Sequence, residues 1–172
     1  MREDVLRDRF PSLGASHFQI TSPATGDYTC IGYAAGDVER VWLPDPWPEG
    51  LYYWPGGAPR EHTVAAWTRA FESIGYLPWD NGELELDVDK VALYADASGA
   101  PQHVARQLPN GRWTSKVGKM EDIEHELDGL EGESYGRVVL VLGRRTNEAD
   151  GDRPVGGTRK REWRSSGRAT PF

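Results

Sequence analysis

A chain of 172 residues, 38% hydrophobic and 27% charged with a net charge of -7, has the length for one domain with a real core and little room for two. Its acidity argues against a general nucleic-acid binder, because phosphate affinity comes chiefly from lysine and arginine. No run of about 18 apolar residues is present to span a membrane, and the opening "MREDVLRDRF" has no apolar signal segment. The single cysteine, Cys30, forms no internal disulfide, so a reducing, cytoplasmic setting is the expectation.

In chain order, residues 1–26 read as a weakly helical start and a turn-rich approach. A brief helix begins at Cys30, weakened by Gly32 and Gly36 and halted by the prolines of "VWLPDPWP". Residues 42–59 form a long aromatic loop carrying Trp42, Trp47, Tyr52, Tyr53 and Trp54 among prolines and glycines. It either lines a substrate groove, with Trp42 and Trp54 as contacts, or folds onto the domain as a cover. The cover is the favoured reading, since prolines and large rings order a loop without a ligand. Next comes a clear helix, with Thr63 as N-cap, Val64, Trp67, Phe71 and Ile74 on one face, and Gly75 as terminator.

The second half alternates. "ELELDVDKVALYAD", "HVARQL", "RWTSKV" and "GRVVLVLGR" read as strands separated by turns at "SGAPQ" and "PNG". "MEDIEHELDGL" places Met120, Ile123, Leu127 and Leu130 at helical steps and reads as a helix. The class is therefore α+β, with N-terminal helices and an antiparallel β-sheet in a single domain over residues 1–145. From Arg145 onward seven basic residues face four acidic ones. Residues 146–172 show no apolar periodicity and are expected to form a disordered basic tail, whose "RKREWR" is able to touch an anionic surface.

Cys30 and His103 are the pair with chemical potential. A thiolate at a helix entry gains from free backbone N–H groups, and a histidine in reach takes the thiol proton. Set against this, a lone cysteine is often a small apolar filler. An N–H of Cys30 with the hydroxyl of Tyr28 or Thr29 is a candidate oxyanion hole, although ordinary turn chemistry is favoured for Thr29. The strand register decides what accompanies His103. A three-residue "PNG" loop pairs Leu108 with Arg112 and puts His103, Ala105, Gln107 and Ser115 on one face; a two-residue turn pairs Leu108 with Trp113 and removes Ser115 from that face. The second register sorts the apolar residues more cleanly, and Gln107 stays on the histidine face in both.

His17, His62 and His125 are scattered, His125 reading as a solvated position beside Glu121 and Asp122. With no H-E-x-x-H pairing, no cysteine cluster and no GxxxxGK loop, neither a metal nor any other cofactor is expected.

An N-terminal cysteine helix, a histidine strand and a polar residue on the next strand resemble the papain-like superfamily, especially its cell-wall amidase (NlpC-type) branch. There a third residue about a dozen positions after the histidine orients its ring; here that position is Ser115, in place of the usual His, Asn, Asp or Gln. The segments "TCIGYAAGD", "HVARQL" and "WTSKVG" are also similar to an uncharacterised bacterial domain family with C-I-x-x-A, H-x-A-R-Q-L and W-T-S-K-x-G motifs. The resemblance implies a papain-like cysteine hydrolase or acyltransferase using Cys30, His103 and either Gln107 or Ser115. Tyr28, Trp42 and Trp54 would face a small-molecule or peptide substrate. The alternative is a non-catalytic binding domain using the aromatic loop and the basic tail. Sulfur near a ring nitrogen of His103 in an open cleft would mark catalysis; a sealed cysteine or an unpaired histidine would mark the alternative.

Overall fold

The structure, a computed structural model, describes residues 2–146. Its helices are α1 (Arg2–Arg9), α2 (Cys30–Ala35) and α3 (Val64–Glu72), with 3-10 turns at Pro11–Ala15 and Leu127–Leu130. Its strands are β1 (Gln19–Ile20), β2 (Leu77–Trp79), β3 (Val88–Ala95), β4 (Pro101–Gln107), β5 (Trp113–Lys116), β6 (Asp122–His125) and β7 (Arg137–Arg145). They form one seven-stranded sheet in the order β1-β6-β5-β4-β3-β7-β2, antiparallel at every pairing. The α+β class with an antiparallel sheet is thus observed. Of the tail expected from residue 146, only Thr146 lies among the described residues, and its N–H donates to the carbonyl of Asp87 at 2.8 Å.

Each face of the sheet carries its own core, which is why β3 is buried along nearly its whole length and lacks clean polar alternation. On one face Val91, Leu93, Val104 and Leu142 pack under α2, α3 and the aromatic loop through Ile31, Ala34, Trp42, Trp54, Trp67 and Phe71. On the other, Ala92, Tyr94, Ala105, Trp113, Val117 and Ile123 pack under α1 and the 3-10 turns through Leu6, Phe10, Leu13 and Leu130. Thr63 caps α3 by accepting from the N–H of Ala66, and the helix ends at Ser73, two residues before Gly75.

Two sequence expectations are corrected. "MEDIEHELDGL" is not a helix: Asp122–His125 is strand β6, paired residue for residue with β5, and only Leu127–Leu130 turns helically. The apolar residues fall at helical steps, but both faces of β6 are covered, so burial does not follow a period of two and β pairing overrides the local pattern. Leu77–Trp79, outside the strands expected from the sequence, forms an edge strand against β7.

Candidate functional site

The "PNG" loop adopts the three-residue register. The N–H of Leu108 donates to the carbonyl of Arg112 at 2.7 Å, and Gly111 takes the left-handed position with φ 85°. Arg106 then pairs with Thr114 and Gln107 with Trp113, so extension of the register aligns Ala105 with Ser115. Ser115 shares the face of His103. The β4–β5 ladder ends at Arg106 and Thr114, before reaching His103. Because the Leu108 N–H points toward β5, alternation points the Val104 N–H the same way, beyond the end of the ladder.

Cys30 is placed beside that N–H. It is the first residue of α2, whose N-cap Thr29 accepts from the N–H of Gly32 at 3.2 Å and donates its own proton to the carbonyl of Trp42 at 2.8 Å. Gly36 closes the helix in the left-handed conformation, φ 89°. The sulfur lies against the backbone N–H of Val104, the residue that follows His103. Burial pushes the Cys30 thiol up to about 11, opposed by the N–H groups of Val104, Ile31 and Cys30 itself and by the Lys116 ammonium. It is a thiol, not a thiolate, at neutral pH.

His103 is 0% exposed. Its ring stacks on Tyr135 with centroids 4.3 Å apart and planes 3° from parallel, and tilts against Tyr94 at 5.4 Å. Its Nε2 lies 2.8 Å from Ser115 Oγ; that oxygen lies 2.7 Å from Nε2 of His125, whose Nδ1 is 2.6 Å from the carbonyl of Glu126. Among the described residues, Nδ1 of His103 has no hydrogen-bond partner. Burial and the neighbouring His125 hold His103 well below the usual histidine range, and burial draws His125 down to about 4. Both rings are neutral at pH 7.

The opposite face of the same strands is charged. Lys116, also 0% exposed, donates to the carbonyl of Met120, lies 3.9 Å from Asp122 Oδ1 and covers the Tyr28 ring at 5.3 Å. Tyr28 donates to Asp122 Oδ2 at 2.6 Å. Burial lowers the Lys116 pKa and raises that of Asp122.

Of the residues picked from sequence, His103 and Ser115 come together, while the Cys30 sulfur lies against the N–H of Val104, the residue after His103; no hydrogen bond joins the thiol to the imidazole. Gln107 does not serve the imidazole: four residues along the strand, about 13 Å away, its amide donates to the carbonyl of Gly82 at 2.7 Å. Tyr28, Trp42 and Trp54 do not line a groove. They are buried, and their polar protons go to Asp122, to the Asp37 carboxylate and to the Pro59 carbonyl. The aromatic loop is a cover, and neither the Tyr28 nor the Thr29 hydroxyl has a proton left for an oxyanion. His125, Tyr135 and Lys116 are the participants that sequence reasoning missed. The register that brings Ser115 to His103 was the available signal, since a strand after "WTSKVG" would have set His125 beside Ser115.

Among the described residues no group of three or more His, Cys, Asp or Glu is placed to hold a metal ion, and no helix is long and apolar enough to cross a membrane. A cavity of about 330 Å³ opens elsewhere, between residues 84–89 and 106–109.

No curated protein and no solved structure matches the chain. A family model described as a domain of unknown function (DUF7689) matches residues 19–143, spanning α2 and every strand that shapes the site. The chain belongs to that family.

Proposed function

We propose that the Cys30–His103–Ser115 arrangement is a papain-like acyl-transfer site, acting as a hydrolase or acyltransferase on an amide, ester or thioester of a small molecule or peptide in the cytoplasm. The observation that carries this reading is the 2.8 Å contact of Ser115 with His103 Nε2, twelve positions on from the histidine, in a chain whose helix-entry cysteine has its sulfur against the N–H of the next residue, Val104. It leaves Nδ1 as the ring nitrogen available to a proton. With thiol and imidazole both neutral at rest, proton transfer accompanies attack: Cys30 Sγ bonds to the acyl carbon as its proton passes to His103 Nδ1. The bond to the leaving group breaks, and that group takes the proton. Water or an acceptor nucleophile then gives its proton to Nδ1 and bonds to the acyl carbon; the carbon–sulfur bond breaks, and the proton returns to sulfur. Apo catalytic contacts are often long and tighten only with substrate bound, which accommodates the missing thiol–imidazole bond.

The test is covalent capture. Full-length protein incubated with a panel of nitrophenyl esters is expected to gain one acyl group on Cys30 by intact mass and peptide mapping, with loss of the adduct in His103→Ala. Absence of the adduct in the native protein, or an equal yield in His103→Ala, would overturn the reading.

A second reading has its own support. An Nδ1 with no partner among the described residues, the complete burial of His103 and the raised thiol pKa are the marks of a fold that keeps these residues as core. A non-catalytic binding domain would then present other surfaces. The covalent-capture result separates the two.

A further inference from the structure

The row of contacts from His103 to Glu126 ends on a group that can only accept. A backbone carbonyl has no proton to give, so the 2.6 Å contact places a hydrogen on His125 Nδ1. Burial keeps that ring neutral, which leaves its Nε2 a bare lone pair. Ser115 Oγ, 2.7 Å away, therefore gives its single proton to His125. With that proton committed, the hydroxyl meets His103 at 2.8 Å only as an acceptor, and the hydrogen sits on His103 Nε2. His103 is neutral too. Its Nδ1 is then the lone pair that makes no hydrogen bond among the described residues.

We infer that His125 is a positioning residue for His103: through the Ser115 hydroxyl it locks the imidazole in the Nε2–H tautomer and keeps Nδ1 open to the Cys30 proton. This rests on the proposed role of His103 as base. A serine alone cannot lock the ring, because a hydroxyl donates or accepts equally well and would hold either tautomer. The opposite tautomer would turn the Ser115 proton toward His103 and set an oxygen lone pair against the bare Nε2 of His125. His125 thus supplies, from one strand further out, the direction that Ser115 lacks.

Ring-nitrogen NMR of the 15N-labelled full chain at neutral pH, without substrate, tests this directly. The native protein is expected to show His103 protonated at Nε2 and bare at Nδ1, with His125 the reverse. In Ser115→Ala and in His125→Phe, His103 should lose this one-sided pattern and shift toward a mixture of tautomers. His125→Gln should restore it, since its amide is able to donate to Glu126 and accept from Ser115. A native His103 protonated at Nδ1, or a one-sided pattern that survives His125→Phe, would overturn the inference. The native spectrum decides even where a variant fails to fold. No turnover is involved, so expected tautomers in a protein that forms no acyl adduct would sink the reaction and leave the positioning role standing. The reverse tautomers in an acylating protein would sink the positioning role alone.

Discussion

The two faces of β4, β5 and β6 bury polar groups by different means. Under α2, Lys116, Asp122 and Tyr28 are held as a charged cluster at the register positions Lys116↔Asp122. One residue along, on the face covered by α1 and the 3-10 turns, His103, Ser115 and His125 are neutral and joined only by hydrogen bonds. The difference teaches what each face tolerates. A charge pair demands both partners, because either alone is a buried, uncompensated ion. A neutral chain demands direction, because every proton must go one way for all members to be satisfied. Cys30 belongs to the helix on the charged face, and its sulfur lies against the N–H of Val104, the residue after His103.

The sharpest way to break this comparison is to remove one member from each face. Lys116→Met takes from buried Asp122 the stronger of its two cationic neighbours, Lys116 and Arg106, and is expected to cost about 3 kcal/mol in urea unfolding; a loss below about 1 kcal/mol would show that the ion pair contributes little. Acid comes next. Burial holds His103 and His125 below their ordinary values, His125 at about 4, so the unfolded chain binds more protons than the fold as pH falls below about 6.5. Their contribution is complete above the unfolded histidine value near pH 6.5. It is lost as pH falls below that value, by up to about 1.4 kcal/mol per pH unit for each ring. Asp122, whose carboxyl burial raises, acts in the opposite sense just above the ordinary carboxylate range. A urea midpoint that stays flat from pH 7 to pH 5 would contradict the neutral-histidine assignment.

Ser115→Ala strips the hydroxyl from between two buried imidazoles and is expected to cost about 2 kcal/mol, the scale of leaving such groups unsatisfied. A neutral substitution would mean that water replaces the hydroxyl. The smallest effect belongs to the helix that presents the sulfur. Thr29→Ala removes the α2 N-cap and should lower stability by about 1 kcal/mol, with a change in Cys30 alkylation if the cap also sets the sulfur's position. Unchanged stability would leave the cap without energetic weight.

Much of the architecture is legible because strands and turns are strongly marked. "PNG" and "SGAPQ" punctuate β4, and Thr29 and Thr63 stand where helix caps belong. The His103–Ser115 contact of the candidate site was legible, conditional on the loop register, which a count of apolar residues would have chosen wrongly. That count misled because Arg106, Thr114 and Lys116 are buried alongside Val104, so hydrophobicity does not separate the two faces. His125 was hidden by the same cause: Met120, Ile123, Leu127 and Leu130 imitate a helix where the chain is a strand covered on both sides. The aromatic loop shows the reverse case, in which rings suggestive of ligand contact are spent on covering the core through Trp42 and Trp54.

The most direct test of the central claim is the rate of Cys30 alkylation by iodoacetamide from pH 5 to pH 11, in native protein and in His103→Ala. An acyl-transfer site with His103 as base predicts alkylation near neutral pH faster than a thiol of pKa about 11 allows, with that excess lost in His103→Ala. A rate that climbs only toward pH 11 and is the same in both proteins would contradict the account and leave Cys30 as part of the core.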